Sequence, residues 1–561
     1  MGGYTSTQRE SCHKVTRRRV LKTGVVGGLG CGAAALLAMV MPPRHAAAGG
    51  VYGGHATILN VGYPEVWDPH IAGTVLANAA TSPLYNQLVE FNPINPTEII
   101  GDLAQRWDVQ DEGLTYLFYL HEHVKWWDGK DLTAEDVAFS INRMIEPGKP
   151  RPRVGLLRPS TKSAEALDRH TVKVTLHYPS PSFLGFLAVD YMKVVPKHVV
   201  EAGVDINVWE NIVGSGPFKI KATRRGDSVT YAKNSQYFKK GRPYLDGLTI
   251  LAITDAGTAA AALKAGKIVM TTGVTALGAD DMLKLERELK GKYALYWQPT
   301  VTDRWHVHGN VEREPWKDLR IVKALRLATD QQEFKRAFGE GHYEVGAPFP
   351  VGSWYGSTTE ELLKRPGYRI PKDQDIEEAK ALLKEAGYDP PATLGKRVLT
   401  AFTASFIPDA AQLWVAQMRK HLGLDITIKI VDTPTAINAF IAGDYDLGIS
   451  GYAYNIDDPD DFVNAMYGPG ARNWTRWKNS TFLELFAQQS RELDRDRRRQ
   501  LLRRLEEFLL TEEDPYIPIN WKPWVYLVSN QVQTEVGPFV GPNSIQSILK
   551  NEHLWLEKEG R

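Results

Sequence analysis

Val124–Met144 reads VKWWDGKDLTAEDVAFSINRM. Lys125-Trp126-Trp127-Asp128-Gly129-Lys130 carries the polar and glycine residues of a turn, with two adjacent indoles. Thr133-Ala134-Glu135-Asp136 opens a helix that runs through Met144. Thr133 is placed to accept the first free backbone N–H groups, and Asp136 stands where a capping box needs its second member. Upstream, Thr115–Leu120 (TYLFYL) has the aromatic content of a strand. Downstream, Thr171–Leu176 (TVKVTL) alternates apolar and polar, as a half-buried strand does.

The same alternation of element types extends both ways. Ala56–Val61 is a short apolar strand, stopped by Asp68-Pro69-His70, and Ala77–Val89 is expected to be helical. Tyr191–Val195 is expected as a strand ended by Pro196, and the loop Val213-Gly214-Ser215-Gly216-Pro217 leads into Phe218-Lys219-Ile220. Gly214 and Gly216 permit positive φ there, while Pro217 fixes the exit. Leu248–Ile253 is a strand followed by a helix over Ala256–Ala265. In the later half, helices are expected at Leu319–Thr329, Ile376–Ala386, Ala410–Leu422 and Phe482–Leu510. Strands are expected at Arg397–Ala401, Asp425–Val431, Asp446–Ser450, Tyr516–Asn520 and Trp524–Val528. Strands alternating with helices over this length imply α/β lobes whose sheets are covered on both faces.

The chain has 561 residues, which at about 100–200 residues per domain allows two to four domains. Lys+Arg (67) and Asp+Glu (66) nearly cancel, so no global field points to nucleic acid or to an acidic membrane surface. The Arg-rich run Arg491–Arg504 is interleaved with Leu and Glu at helical spacing, as on a solvated helix face. The 15 Trp and 23 Tyr suit clefts and interfaces as well as cores. Cys12 and Cys31 are the only cysteines, and both precede the expected mature start, which rules out thiol chemistry for the mature domain.

The first 48 residues are expected to be a signal peptide. Thr16-Arg17-Arg18-Arg19-Val20-Leu21-Lys22 is a basic head, Gly24–Met41 an apolar stretch, and Ala46-Ala47-Ala48 a small-residue exit. Arg17-Arg18 with Val20, Leu21 and Lys22 resembles a twin-arginine signal. The alternatives are a membrane anchor and lipidation at Cys31.

No phosphate loop, dinucleotide fingerprint, nucleophile elbow or HExxH helix occurs. His306 and His308 share one strand face, but no third metal ligand lies at local spacing. Asp457-Asp458-Pro459-Asp460-Asp461 is the densest carboxylate group. It is expected to cap the helix Phe462–Met466, with cation binding or acid–base chemistry as the alternatives.

Taken in order, VKWWDGKDLTAEDVAFSINRM, VGSGPFKI (213–220), PWKDLRIVKALRLATD (315–330), DIEEAKALLKEAGY (375–388) and DPYIPIN (514–520) resemble the family 5 extracellular solute-binding proteins of ABC importers, the dipeptide- and oligopeptide-binding type. The resemblance covers nearly the whole mature chain. It implies a type II, two-lobed periplasmic-binding-protein fold with an extra domain in the first lobe. By that likeness the first lobe spans 51–90, 205–300 and 522–561, the extra domain 91–204, and the second lobe 301–521. It implies a periplasmic, monomeric protein without enzymatic activity or cofactor. Such a protein captures a peptide or other small polar solute between its lobes and delivers it to membrane permeases. A twin-arginine signal adds the matching export machinery as a partner.

In peptide binders of this family a strand ending in Gly-aromatic offers backbone hydrogen bonds, and an Asp four residues after the Gly pairs with the ligand's ammonium. Here those positions are Gly451, Tyr452 and Asn455, and the position where oligopeptide binders often carry Arg is Ile449. The expected ligand-binding residues are therefore Gly451, Tyr452, Ala453 and Asn455, with Asp457 as a substitute carboxylate. Trp67, Trp305, Trp474 and Trp521 are candidate stacking walls, with core packing the alternative for each. Both departures weaken the case for a peptide. Competing functions are a hydrolase using Asp457 and Asp458, and a transporter-independent chaperone or chemosensory receptor.

Overall fold

The computed structural model describes residues 50–93, 98–298, 303–403, 406–468, 472–534 and 550–557. The expected signal residues Arg17 and Arg18, and Cys12 and Cys31, lie outside them. Among the described residues no helix is long and apolar enough to cross a membrane.

The capping box that opens the sequence reading is formed. Thr133 N donates to the Asp136 carboxylate at 2.9 Å, and the helix runs Ala134–Ile145. Asp136 also accepts from the Trp126 indole at 3.3 Å and from Lys197 N at 3.0 Å, so one carboxylate ties turn, helix and a later helix start together. The helix packs on a four-stranded antiparallel sheet ordered Ala104–Gln110, Thr115–Leu120, Thr171–Leu176, Thr161–Ala166. The inward positions Val172, Val174 and Leu176 are buried, which is the alternation TVKVTL predicts.

Two larger mixed sheets organise the rest. The first is ordered Tyr293–Trp297, Val525–Ser529, Met270–Thr271, His55–Asn60, Gly247–Ala252, Ser228–Lys233, Phe218–Arg224. The second is ordered Glu344–Val345, Tyr516–Lys522, Asp303–Gly309, Leu447–Ala453, Arg397–Phe402, Ile426–Val431. The chain therefore passes between these sheets twice, after Trp297 and after Lys522. The two passages are bonded to each other. Gln298 N donates to Trp524 O at 2.8 Å, Trp524 N donates to Gln298 Oε1 at 3.3 Å, and Lys522 pairs with Asp303 at 3.2 Å. A two-strand connection of this kind is what a hinge between lobes requires.

Four sequence expectations are corrected. Ala77–Val89 is not one helix: Val75–Thr81 is helical, Pro83 lies in a 3-10 turn, and Val89–Phe91 is already a strand. Tyr191–Val195 is not a strand but holds one isolated bridge, Gln87 to Lys193, with the Lys193 ammonium buried against Asp190 at 2.8 Å. Phe482–Leu510 is divided into Ser480–Gln489 and Arg495–Phe508, because Asp494 accepts from Arg497 N at 2.9 Å and starts a new helix. Gly214 and Gly216 do not have positive φ. A Cβ at Gly214 would lie 2.0 Å from Leu84 O and one at Gly216 2.4 Å from Pro83 O, so glycine is needed for close backbone approach instead.

Candidate functional site

Leu447–Ala453 is an inner strand of the second sheet, antiparallel to Asp303–Gly309 and parallel to Arg397–Phe402. Gly451 stands opposite Trp305 in this ladder. A Cβ at 451 would lie 2.6 Å from the Trp305 ring, so the indole lies flat against bare backbone. Gly451→Ala is expected to cost about 1–3 kcal/mol, the usual range for overpacking, and to displace Trp305. Thermal unfolding and tryptophan fluorescence check it; an unchanged midpoint and spectrum would mean the strand tolerates the methyl.

Beyond the strand the chain turns, and Asp461 gathers it. The Asp461 carboxylate accepts from the Tyr452 hydroxyl at 2.6 Å, from Asn455 Nδ2 at 2.9 and 3.1 Å, and from Asn455 N. Burial pushes the Asp461 carboxyl up, opposed by these bonds and by the charge of Arg153. Asp458 caps the helix Pro459–Met466 through Asp460 N at 2.9 Å and receives both Arg498 guanidinium nitrogens at 2.6 and 2.7 Å. Asp460 accepts from Ser182, Gln489 and Ser490, each at 2.6 Å. The capping expectation for this cluster holds, with the helix starting at Pro459 rather than Phe462.

Asn455 bonds to Asp461 and not to Asp457. Asp457 instead lines a cavity of about 470 Å³ beside the two chain passages, with Trp297, His342, Glu344, Tyr454 and Pro523. Its Oδ1 is buried without a partner, and burial with the neighbouring Asp458 raises the carboxyl to about 6. The Trp297 and His342 rings stack at 4.0 Å on the wall of this cavity.

All four candidate tryptophans are buried, Trp305 and Trp474 in the core of the second sheet, and they differ in their neighbours. Trp521 is fully buried, donates to Ala347 O at 3.0 Å and packs on Tyr454 and Phe462. Trp67 is buried in the core of the first sheet, edge-on to Tyr63. Trp305 and Trp474 instead flank the Leu447–Ala453 strand and its exit, and both have a buried indole N–H without a partner. His306 and His308 share one face as expected, with ring centroids 5.6 Å apart. Burial holds His308 down to about 3 and His306 well below the usual range, so both are neutral.

Two groups absent from the sequence reading complete the site. Arg153, 302 positions from Asn455 and next to the four-stranded sheet domain, donates from Nη1 to Asn455 Oδ1 at 3.2 Å and from Nε to Gly73 O at 3.1 Å. Arg472 lies over the Tyr452 ring at 5.5 Å and the Trp474 ring at 5.7 Å. Ser182 reaching Asp460, and Ile456 buried in the core of the first sheet, bridge the same divide. No local motif marks either arginine; folding alone brings them to the strand end.

Two mixed sheets joined by a paired hinge, with a strand end and basic side chains where their layers meet, define an α/β two-lobed binding protein. The family described as bacterial extracellular solute-binding proteins, family 5 Middle, matches residues 98–474. The chain belongs to this family and is a solute-binding component of the kind that serves ABC importers. It is 26% identical over 448 residues to the probable deoxycholate-binding periplasmic protein of Escherichia coli, covering 76% of this chain and 81% of that protein. It is 25% identical to the periplasmic oligopeptide-binding protein of Salmonella typhimurium, covering 87% and 90%. Its fold matches the ABC transporter-associated periplasmic binding protein of Helicobacter pylori in complex with the peptide STSA, with a TM-score of 0.76 and 23% identity over 91% of this chain and 99% of that one.

Proposed function

We propose that the chain captures a small polar solute, a peptide or another polar oligomer, at Gly451–Asn455 and delivers it to permease subunits of an inner-membrane ABC importer. The observation that carries this reading is the Arg153–Asn455 contact, in which the first half of the chain reaches the exit of the second sheet's inner strand. A solute touching both sides favours the closed arrangement and shifts the population toward it. Gly451, Tyr452, Ala453 and Asn455 are the proposed contacts. Trp305 and Trp474 are the walls better supported by position, beside the strand and its exit, although all four tryptophans are buried. Asp457 is proposed to face the solute from the cavity. The lobes are proposed as 51–90, 205–300 and 522–561 against 301–521, with 91–204 as the extra domain; the strand memberships of the two sheets support that division.

Periplasmic residence as a monomer, reached through a twin-arginine signal, rests on Arg17-Arg18 and on the periplasmic relatives. Arg17→Lys with Arg18→Lys is expected to hold the chain in the cytoplasm. Normal periplasmic recovery of that double variant, read by cell fractionation, would oppose this route. For the site, Asn455→Ala is expected to lower affinity for the co-purifying solute about tenfold, since it removes a hydrogen-bonding group worth about 1–1.5 kcal/mol. Calorimetry showing unchanged affinity would remove Asn455 from the contact set.

A further inference from the structure

We propose that the solute carries an anionic group, a carboxylate or an equivalent acid, held between Arg472 and Arg153 beside Tyr452. This rests on the binding site proposed above and specifies the charge it accepts.

The charges at the strand exit are unbalanced. Two guanidinium groups, Arg153 and Arg472, are enclosed with a single carboxylate, Asp461. Tyr191 and Tyr452 are also present, but burial pushes the Tyr452 hydroxyl well above its ordinary value, so it is neutral. Asp461 is already occupied, because Tyr452 and Asn455 supply its donors. Arg153 is tied to Asn455 and Gly73. The Arg472 guanidinium makes no hydrogen bond and no ion pair among the described residues; it lies between the Tyr452 and Trp474 rings, and the residue keeps part of its surface open. Burial, with the like charge of Arg153, lowers its pKa from the ordinary value. The site therefore holds one cation more than it neutralises. A guanidinium enclosed without a counter-ion costs several kcal/mol, and it offers planar donors matched to a carboxylate.

The partnerless Trp474 indole N–H adjoins the same guanidinium and is a further donor for an acid. At this point the amide oxygen of Asn455 faces Arg153 and is not offered to an ammonium. A cationic amine placed at this point would meet two like charges. The selectivity expected is anion over neutral over cation.

Three probes that step the N-terminal charge from positive through neutral to negative test this by calorimetry: Ala-Ala amide, its N-acetyl form and its N-succinyl form. The succinyl probe is expected to bind wild type at least tenfold tighter than the acetyl probe, with the free amine weakest. Arg472→Gln should abolish the preference for the succinyl over the acetyl probe, and Arg472→Lys should retain part of it. Because the Arg472 side chain bonds to no described group, its replacement leaves no orphaned partner, and circular dichroism verifies the fold. A free amine that binds tightest, or a preference unchanged in Arg472→Gln, overturns the anion site and leaves solute binding standing. If none of the three binds, mass spectrometry of the solute released on denaturation decides: an acid supports the proposal and a non-acid overturns it. No binding and no released solute overturns both the anion site and the solute-binding reading.

Discussion

Asp461→Ala is expected to lower stability by about 3–5 kcal/mol, because it removes the shared acceptor of several buried donors. The loss has identifiable parts. The Tyr452 hydroxyl, Asn455 N and the Asn455 amide would lose their acceptor together inside the protein. Each buried donor left unsatisfied costs about 1–3 kcal/mol, although neighbours in one network do not add independently. Arg153 and Arg472 would then have no carboxylate between them. Asp461→Asn retains one acceptor oxygen and is expected to lose about half as much. Urea unfolding of the two variants checks the order. An Asp461→Ala protein within 1 kcal/mol of wild type, on the scale of ordinary surface changes, would mean this carboxylate does not organise the strand exit. Affinity for the solute should fall with stability, because Asp461 orients both Tyr452 and Asn455.

Asp102→Ala is expected to be as destabilising, about 3–5 kcal/mol, yet to leave solute affinity near wild type. Asp102 is fully buried and accepts from Asn86 Nδ2 at 2.9 Å and from Gln87 N at 2.9 Å. It pairs with Lys239 at 2.7 Å and with Lys550 at 2.9 Å. Burial alone would raise its pKa, but these two ammonium groups outweigh that and hold it far below the usual carboxylate range. Glu552 joins the network through Lys239 at 3.0 Å, so the segment 550–557 is fastened to residues near the start of the chain by buried charge. Removing Asp102 leaves two ammonium groups sharing Glu90 and Glu552. Faster proteolysis of the C-terminal segment together with a lower urea midpoint is the expected pair of results. A midpoint loss accompanied by lost solute affinity would show that this network is coupled to the cleft.

The contrast between these variants separates what the sequence discloses from what it hides. Caps and alternation are local, so Thr133 with Asp136 and the strand TVKVTL are readable from a few neighbouring residues. Gly451 is readable for the same reason, although its purpose, room for the Trp305 ring, needs the paired strand. The helix break at Asp494 is hidden by a charge pattern that continues across it. The site's charges are hidden more deeply. Asp457 and Asp461 are equally plausible partners for Asn455 in the linear chain; the helix Pro459–Met466 turns Asp461 back onto Asn455 and leaves Asp457 at the cavity. Arg153 arrives from the opposite half of the molecule, and Arg472 is identified only by the two rings that flank it. The tryptophans illustrate the converse: all four candidates are buried, and aromatic identity alone does not separate a cleft wall from a core.

Native mass spectrometry of the purified chain, followed by denaturation and identification of what is released, tests solute capture most directly. The predicted result is one small polar solute per chain, released chemically unchanged, with occupancy reduced at least tenfold in Tyr452→Leu. A chain that carries no solute and binds none from a periplasmic extract, or one that returns its solute cleaved, would contradict the account.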